Sequence, residues 1–462
     1  MLFNSGTFVV FFLAFLALYW LVRGSVAWRN RLIVAGSWLF YGAWDWRFLP
    51  LLIGSSLVDY WLGIAVEGST GLARRRLLGL SVMTNLGLLG AFKYFNFFSD
   101  SLAAFITRLG GTPDWPTLNV VLPVGISFYT FQSLGYVLDV HRGRVPACRD
   151  LTRFLAFVAF FPQLVAGPIE RAAHLLPQFA STRIITGQSL REGLWLVLMG
   201  LFRKVVIADN CGVVADLAFD QERYSGPGVV IGIVAFSLQI YGDFAGYSDI
   251  ARGLSRLLGF NLMINFAEPY LARSLREFWQ RWHVSLSEWL RDQVYIPLGG
   301  NRCGTARTVL NLFLTMLVGG LWHGAAWHFV AWGAWHGLGL AGRSLWQRGG
   351  FAVPRPFGWA LTLVFVGLGW LLFRAPDLTT AALMARALGD GSAPVWWGSA
   401  CIQLAWFGLP CMALDLATRA RGNPEWGAGL RPVFRVALQG FLLFAVLRYW
   451  RLDSASFLYF QF

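Results

Sequence analysis

The chain has 462 residues, 56% of them hydrophobic and 13% charged, whereas a soluble domain of ordinary composition carries about 25% charged residues. That balance excludes a water-soluble globular protein and identifies a membrane protein. The formal charge of +14 does not point to nucleic acid, because the basic residues fall in alternate loops, as membrane topology demands, rather than in one stripe.

Residues 8–22 are apolar, follow no positive residue and precede Arg23, Arg29 and Arg31. They read as a retained first helix, since a signal peptide has its charge before the apolar run. Residues 32–44 and 49–66 are the next two spans. Arg74, Arg75 and Arg76 follow the third, so the positive-inside bias makes the first and third loops cytoplasmic and places the N-terminus outside. Residues 77–98 form a fourth span and residues 100–115 an outer loop. Residues 120–140 return to Arg142, Arg144, Arg149 and Arg153.

Residues 155–169 are short for a span and contain Pro162 and Gly167-Pro168, which predicts a segment that dips in and leaves on the same side. Irregular backbone at membrane depth needs protein or a cavity around it, so this segment hints at an internal cavity. Residues 194–208 and 229–245 are further spans, joined by an outer loop holding Asp209, Asp216, Asp220 and Glu222. The five cysteines, Cys148, Cys211, Cys303, Cys401 and Cys411, match no metal-ligand spacing and read as small apolar fillers, with no metal site and no disulfide framework.

The longest cytoplasmic stretch runs from Arg252 to Arg307. Within it Leu275, Phe278, Trp279, Trp282, Leu286, Trp289 and Leu290 share one face of a predicted helix. Arg276, Glu277, Gln280, Arg281, Ser287, Glu288 and Arg291 share the other. A helix of this kind anchors in the membrane interface or lines the mouth of a cavity. The apolar segment 309–318 leads to His323, and residues 327–340, 359–373, 397–414 and 433–447 complete the spans, with the C-terminus outside.

Four of the six histidines, His283, His323, His328 and His336, fall in the stretch from Phe278 to His336. An ionisable group inside an apolar span is costly and is usually kept for function, which makes His323 the leading candidate for a general base. A structural role, hydrogen bonding to a neighbouring helix, stays open for it. His283 sits at the border of the amphipathic face and reads first as an interfacial polar residue. His328 and His336 read as packing or capping groups, and Asp243 and Asp249 as helix-end polar groups. Gly299-Gly300 lacks the strand-turn-helix setting of a phosphate loop.

The run Trp282-His283-Val284-Ser285-Leu286-Ser287-Glu288-Trp289-Leu290-Arg291-Asp292, the following Tyr295-Ile296-Pro297-Leu298-Gly299-Gly300, and Leu321-Trp322-His323-Gly324-Ala325 with Trp332-Gly333 resemble the signature of bacterial membrane-bound O-acyltransferases. The resemblance extends along nearly the whole chain. It takes in Leu2-Phe3-Asn4-Ser5, residues 122–132, Phe160-Phe161-Pro162-Gln163-Leu164, Ala166-Gly167-Pro168, Gly246-Tyr247-Ser248-Asp249 and the terminal Tyr459-Phe460-Gln461-Phe462. Gly242 and Ala245 depart from it, standing where a bulkier residue and a serine are expected.

The resemblance implies an all-α polytopic membrane protein, with roughly 11 to 13 membrane helices or re-entrant segments forming a shell around a central tunnel. It implies a single membrane-embedded acyltransferase domain over residues 1–462, with the catalytic core at about residues 120–340. It places the principal catalytic histidine on His323 and a second, more cytoplasmic polar position on His283. The activity it implies is transfer of an acyl group, acetyl from acetyl-CoA, from the cytoplasmic side of the inner membrane to an extracytoplasmic polysaccharide such as alginate, or to a periplasmic acetyltransferase or carrier protein. No tightly bound cofactor is expected, and lipids surround the chain. Cellulose, peptidoglycan and teichoic acid (D-alanyl transfer) remain open as acceptors, and a glycan-precursor transporter or flippase is the rival from another class. Arg276, Arg281 and Arg291 suit an anionic donor on electrostatic grounds.

Overall fold

The computed structural model describes residues 1–113, 121–165, 167–349, 353–451 and 457–458, and every regular element among them is a helix. Ala166, the terminal residues 459–462, and the Trp115 and Val120 ends of the expected loop and span lie outside the described residues. Among the described residues, seven helical stretches are long and apolar enough to cross a membrane: Val26–Glu67, Gly71–Arg108, Gly226–Leu257, Gly304–His323, Arg355–Arg374, Trp397–Arg421 and Pro432–Tyr449. The first holds two helices, α2 (Val26–Asp45) and α3 (Leu49–Glu67), separated by a short 3-10 turn. Gly6–Val22, α1, is apolar and shorter. The chain is an all-α polytopic membrane protein.

Helix starts follow their local chemistry. Ser5 accepts from Phe8 N–H to open α1, Asp150 does the same for α7 (Leu151–Ala159), and Thr186 and Ser189 form a reciprocal capping box at α10 (Gly187–Leu201). These side chains satisfy backbone donors that a helix leaves open at its first turn.

The long crossing Gly71–Arg108 comprises α4 (Gly71–Leu89), a π-helical turn at Gly90–Tyr94, and α5 (Phe95–Arg108). A second π segment, Phe202–Ala208, joins α10 to α11 (Asp209–Phe219). Asp209 and Asp216 therefore lie in a helix, not in the expected outer loop. Lys204, in the π segment, pairs at 2.7 Å with both Asp209 and Asp243. Its neighbour Arg203 pairs with Asp249 and, at 2.8 Å, with Asp415. Asp243 and Asp249 thus stand inside α12 (Gly226–Leu257) as buried members of ion pairs, which corrects their reading as helix-end groups. Desolvating charge at this depth is costly, so each charge is compensated. Gly242 fits the same contact: a Cβ there would lie 2.8 Å from Arg203 O and 3.1 Å from Ala208 N. A bulkier residue has no room where α12 presses on the π segment.

In the stretch 155–169 the helix is interrupted and the described residues are largely buried. After α6 (Ile126–His141), α7 ends at Phe160 and a single turn, α8 (Phe161–Leu164), follows. Phe160 and Phe161 are fully buried, and the Phe161 ring packs against Phe11, Phe15 and Phe40 with centroids 5.1–5.7 Å apart. The irregular backbone is enclosed by protein. α9 (Ala172–Ala180) lies beyond it.

The single amphipathic helix expected over 275–290 is instead two short helices, α13 (Leu275–Trp279) and α14 (Val284–Leu290). The break is stabilised by a distant segment: Ala267 N–H donates to Arg281 O at 3.0 Å, and Val284 N–H donates to Asn265 O at 2.9 Å. The apolar face is real, with Phe278, Trp282 and Leu286 at 1% exposure, but it is covered by the protein and does not anchor in lipid.

The C-terminal helices are α15 (Gly304–His323), α16 (Trp327–Arg348), α17 (Arg355–Arg374), α18 (Leu378–Ala387), α19 (Trp397–Arg421) and α20 (Pro432–Tyr449). α15 and α16 pack tightly through Gly320 and Gly333. A Cβ at Gly320 would come within 2.3 Å of Phe329 O, and one at Gly333 within 2.5 Å of Met316 O. Small residues let membrane helices approach backbone to backbone. Gly333→Leu is expected to destabilise the fold by about 1–3 kcal/mol or more through overpacking. Thermal unfolding in detergent checks this, and an unchanged midpoint would refute the close contact.

Candidate active site

Aromatic side chains form two buried clusters. One includes Phe128, Phe131, Phe244, Trp289 and Trp322; the other includes Trp282, Phe329, Trp332, Trp370 and Phe373. The candidate histidines lie on the seam between them.

His323 is the last residue of α15, and Gly324 leaves the helix in extended conformation. The carbonyls at this helix end are held from the π turn of the Gly71–Arg108 crossing. Lys93 Nζ donates to Trp322 O at 2.7 Å and His323 O at 3.0 Å, and Tyr94 Oη donates to Leu321 O at 2.8 Å. A cation at a helix C-terminus complements the negative end of the helix dipole. The His323 ring is 3% exposed as a residue and packs edge-on to Trp332 at 5.0 Å and Phe373 at 5.5 Å.

His283 stands at the α13–α14 break with φ 43°, a left-handed conformation. It is fully buried, which overturns its reading as an interfacial residue. Asn265 fixes it: Asn265 Oδ1 lies 3.1 Å from His283 Nδ1 and also accepts from Ser285 Oγ at 2.9 Å. Asn265 Nδ2 donates to Ser248 Oγ at 3.2 Å, which orients the amide. With Nδ1–H donating to Asn265, Nε2 is the basic nitrogen of the neutral ring. Ser285 Oγ in turn accepts from Ile169 N–H at 3.0 Å, tying the segment that follows α8 to this histidine. The rings of His283 and His323 are 6.4 Å apart, with Trp322 beside both.

His336, read from sequence as a packing or capping group, belongs with this set. It is fully buried, and Trp332 lies between it and His323, 4.8 Å from the one ring and 5.0 Å from the other. His328 does face elsewhere, with Nδ1 3.2 Å from Leu372 O.

A small cavity of about 40 Å³ opens beside His323, lined among others by Lys93, Pro123, Ser127, Phe128 and Trp322. It has room for one or two waters or a group of that size. A larger groove of about 350 Å³ is lined by Leu271, Arg273, Arg355, Pro356, Trp359, Leu416 and Arg419. Of the three arginines proposed from sequence, Arg281 pairs with Glu277 at 3.1 Å and Glu268 at 3.6 Å, and Arg291 with Asp292 at 2.8 Å, while Arg276 is exposed. The basic groove is built from other residues than those.

Sequence reasoning missed Lys93, although a lysine within an apolar span carries its own signal. Asn265 carried none, because its role depends on contacts 18 and 20 residues away.

The arrangement provides a neutral imidazole, shielded from solvent, at a cavity bounded by a cation, which is what deprotonation of a hydroxyl during acyl transfer needs. Residues 149–372 match the model of the MBOAT, membrane-bound O-acyltransferase family. A probable alginate O-acetylase AlgI from Pseudomonas putida is 42% identical over 490 residues, covering all of both chains. The peptidoglycan O-acetyltransferase of Helicobacter pylori is 34% identical over 84% of this chain and 80% of its own length. A teichoic acid D-alanyltransferase from Streptococcus thermophilus is 32% identical over 49% of this chain and 57% of its own. The chain belongs to the membrane-bound O-acyltransferase family and is an acyltransferase.

Proposed function

We propose that the protein O-acetylates an extracytoplasmic polysaccharide, alginate in the first instance, using acetyl-CoA presented at the cytoplasmic face of the inner membrane. The observation that carries this reading is that His323, which lines the cavity beside Lys93, stands 6.4 Å from His283 with both removed from solvent. The relatives named as alginate O-acetylases support the acceptor. His323 acts as the general base. It takes the proton of an acceptor hydroxyl, on the glycan or on a periplasmic acetyltransferase or carrier protein, as the oxygen attacks the thioester carbonyl. The departing thiolate then recovers that proton from the imidazolium. His283, held by Asn265, supports the donor side of the reaction. Arg273, Arg355 and Arg419 are the groove residues suited to the donor's phosphates.

The alternating arginine loops support an orientation with both termini outside. Membrane vesicles test side and chemistry together. Labelled acetyl-CoA added to inside-out vesicles should acetylate glycan enclosed in the lumen, whereas right-side-out vesicles should be inactive until permeabilised. Equal labelling from intact right-side-out vesicles would reverse the orientation, and no labelling after permeabilisation in the presence of alginate and the periplasmic fraction would sink the proposed donor or acceptor.

A further inference from the structure

Lys93 is an ionisable residue within a membrane-crossing helix, placed on a π turn at Gly90–Tyr94. Such turns widen a helix locally and recur at functional sites, and charge at this depth is rarely kept without a task. Its ammonium carries three hydrogens. Two are directed to the carbonyls of Trp322 and His323, at 2.7 and 3.0 Å. Lys93 also lines the cavity that His323 lines. The same group therefore holds the helix end that carries the histidine and places positive charge at the space where a reacting carbonyl would sit.

We propose that Lys93 is a catalytic residue of the acyl transfer, donating its third hydrogen to the oxyanion that forms as the acceptor attacks. This rests on the reading of His323 as the base. The acceptor oxygen forms a bond to the thioester carbon while its proton passes to His323, and the carbonyl π electrons move onto oxygen. That oxygen bears the negative charge beside Lys93. Collapse re-forms the carbonyl, breaks the carbon–sulfur bond and returns the proton from His323 to the leaving thiolate, so no further reactant is needed. A preplaced cation at the developing charge acts strongly in a site from which water is excluded. The oxyanion, lying between the ammonium and the imidazolium, offsets the repulsion of the two cations in apolar surroundings.

The test separates charge from clamping. Lys93→Gln keeps two neutral N–H donors for the helix-end carbonyls and removes the cation. Tyr94→Phe removes the neighbouring clamp on Leu321 O and keeps the cation. For Lys93→Gln the expected result is a kcat about 10²–10³ lower with the KM for the thioester donor little changed, the loss typical of one oxyanion donor. Tyr94→Phe should stay within about threefold of wild type. A Lys93→Gln kcat within about threefold of wild type would overturn the proposal, and so would an equal loss in Tyr94→Phe, which would mark the effect as clamping. Should Lys93→Gln not fold, Lys93→Cys alkylated with bromoethylamine restores an ammonium. Activity that rises at least tenfold with alkylation, verified by intact mass, supports the role, and activity indifferent to it refutes it. If His323→Ala remains active, the base assignment fails instead, whatever the Lys93 variants do.

Discussion

His323→Ala is expected to lower acyl transfer by about 10²–10⁴-fold, the contribution of a general base, while the protein inserts and folds normally. The ring is surrounded by Trp332 at 5.0 Å, Phe373 at 5.5 Å and Trp322 at 5.1 Å, so truncation leaves a void, yet the backbone at this point is held independently by Lys93 through the His323 carbonyl. Fold and function are thereby separable at this residue. The measurement is acetyl incorporation into the acceptor by purified protein, scored by mass spectrometry, with the thermal midpoint recorded in parallel. His283→Ala should show a smaller loss, concentrated in handling of the donor, and His328→Ala should be near wild type, because its Nδ1 faces the Leu372 carbonyl on α17. A folded His323→Ala protein with near-normal turnover would eliminate the base role.

The largest effect on stability is expected at Lys204. Its Nζ sits 2.7 Å from carboxylate oxygens of both Asp209 and Asp243, with all three side chains at 3% exposure or less. Lys204→Met leaves two buried carboxylates without their shared cation, and breaking a buried pair in this way costs about 3–5 kcal/mol. Folded yield and thermal midpoint in detergent should fall sharply. Adding Asp209→Asn and Asp243→Asn to the same chain should recover part of the loss, because the damage is uncompensated charge rather than a missing contact. Asp243 Oδ2 also accepts from Leu458 N–H at 2.8 Å, so a full return to wild-type stability is not expected. A Lys204→Met protein as stable as wild type would show that the cluster is neutral.

Much of the membrane architecture was legible because an apolar run long enough to cross a bilayer announces itself by length and composition alone. The break in helix after Ala159 was legible for a similar reason, since Pro162 and Gly167-Pro168 interrupt an apolar stretch. The break at His283 was not. Leu275, Phe278, Trp282, Leu286 and Trp289 fit one helical face, and what ends the helix is Asn265, through hydrogen bonds that no local pattern encodes. His336 does pack, as read, but the aromatic neighbours it packs against were not legible. On the helix it lies one turn from Trp332 and shares that residue's face, which carries it to the histidine site. The buried pairs of Arg203 and Lys204 were hidden for a related reason: acidic residues spaced along apolar sequence look like loop residues until their cations are placed beside them.

The five cysteines are free, and of these Cys303 alone is exposed. It precedes the first residue of α15, the helix that ends at His323. The native protein thus carries a point of attachment for a thiol-directed fluorophore or spin label, with Cys148, Cys211 and Cys411 shielded from a water-soluble reagent. A probe there reports on the far end of the histidine's own helix, so displacement of α15 during turnover can be followed spectroscopically in the unmutated chain.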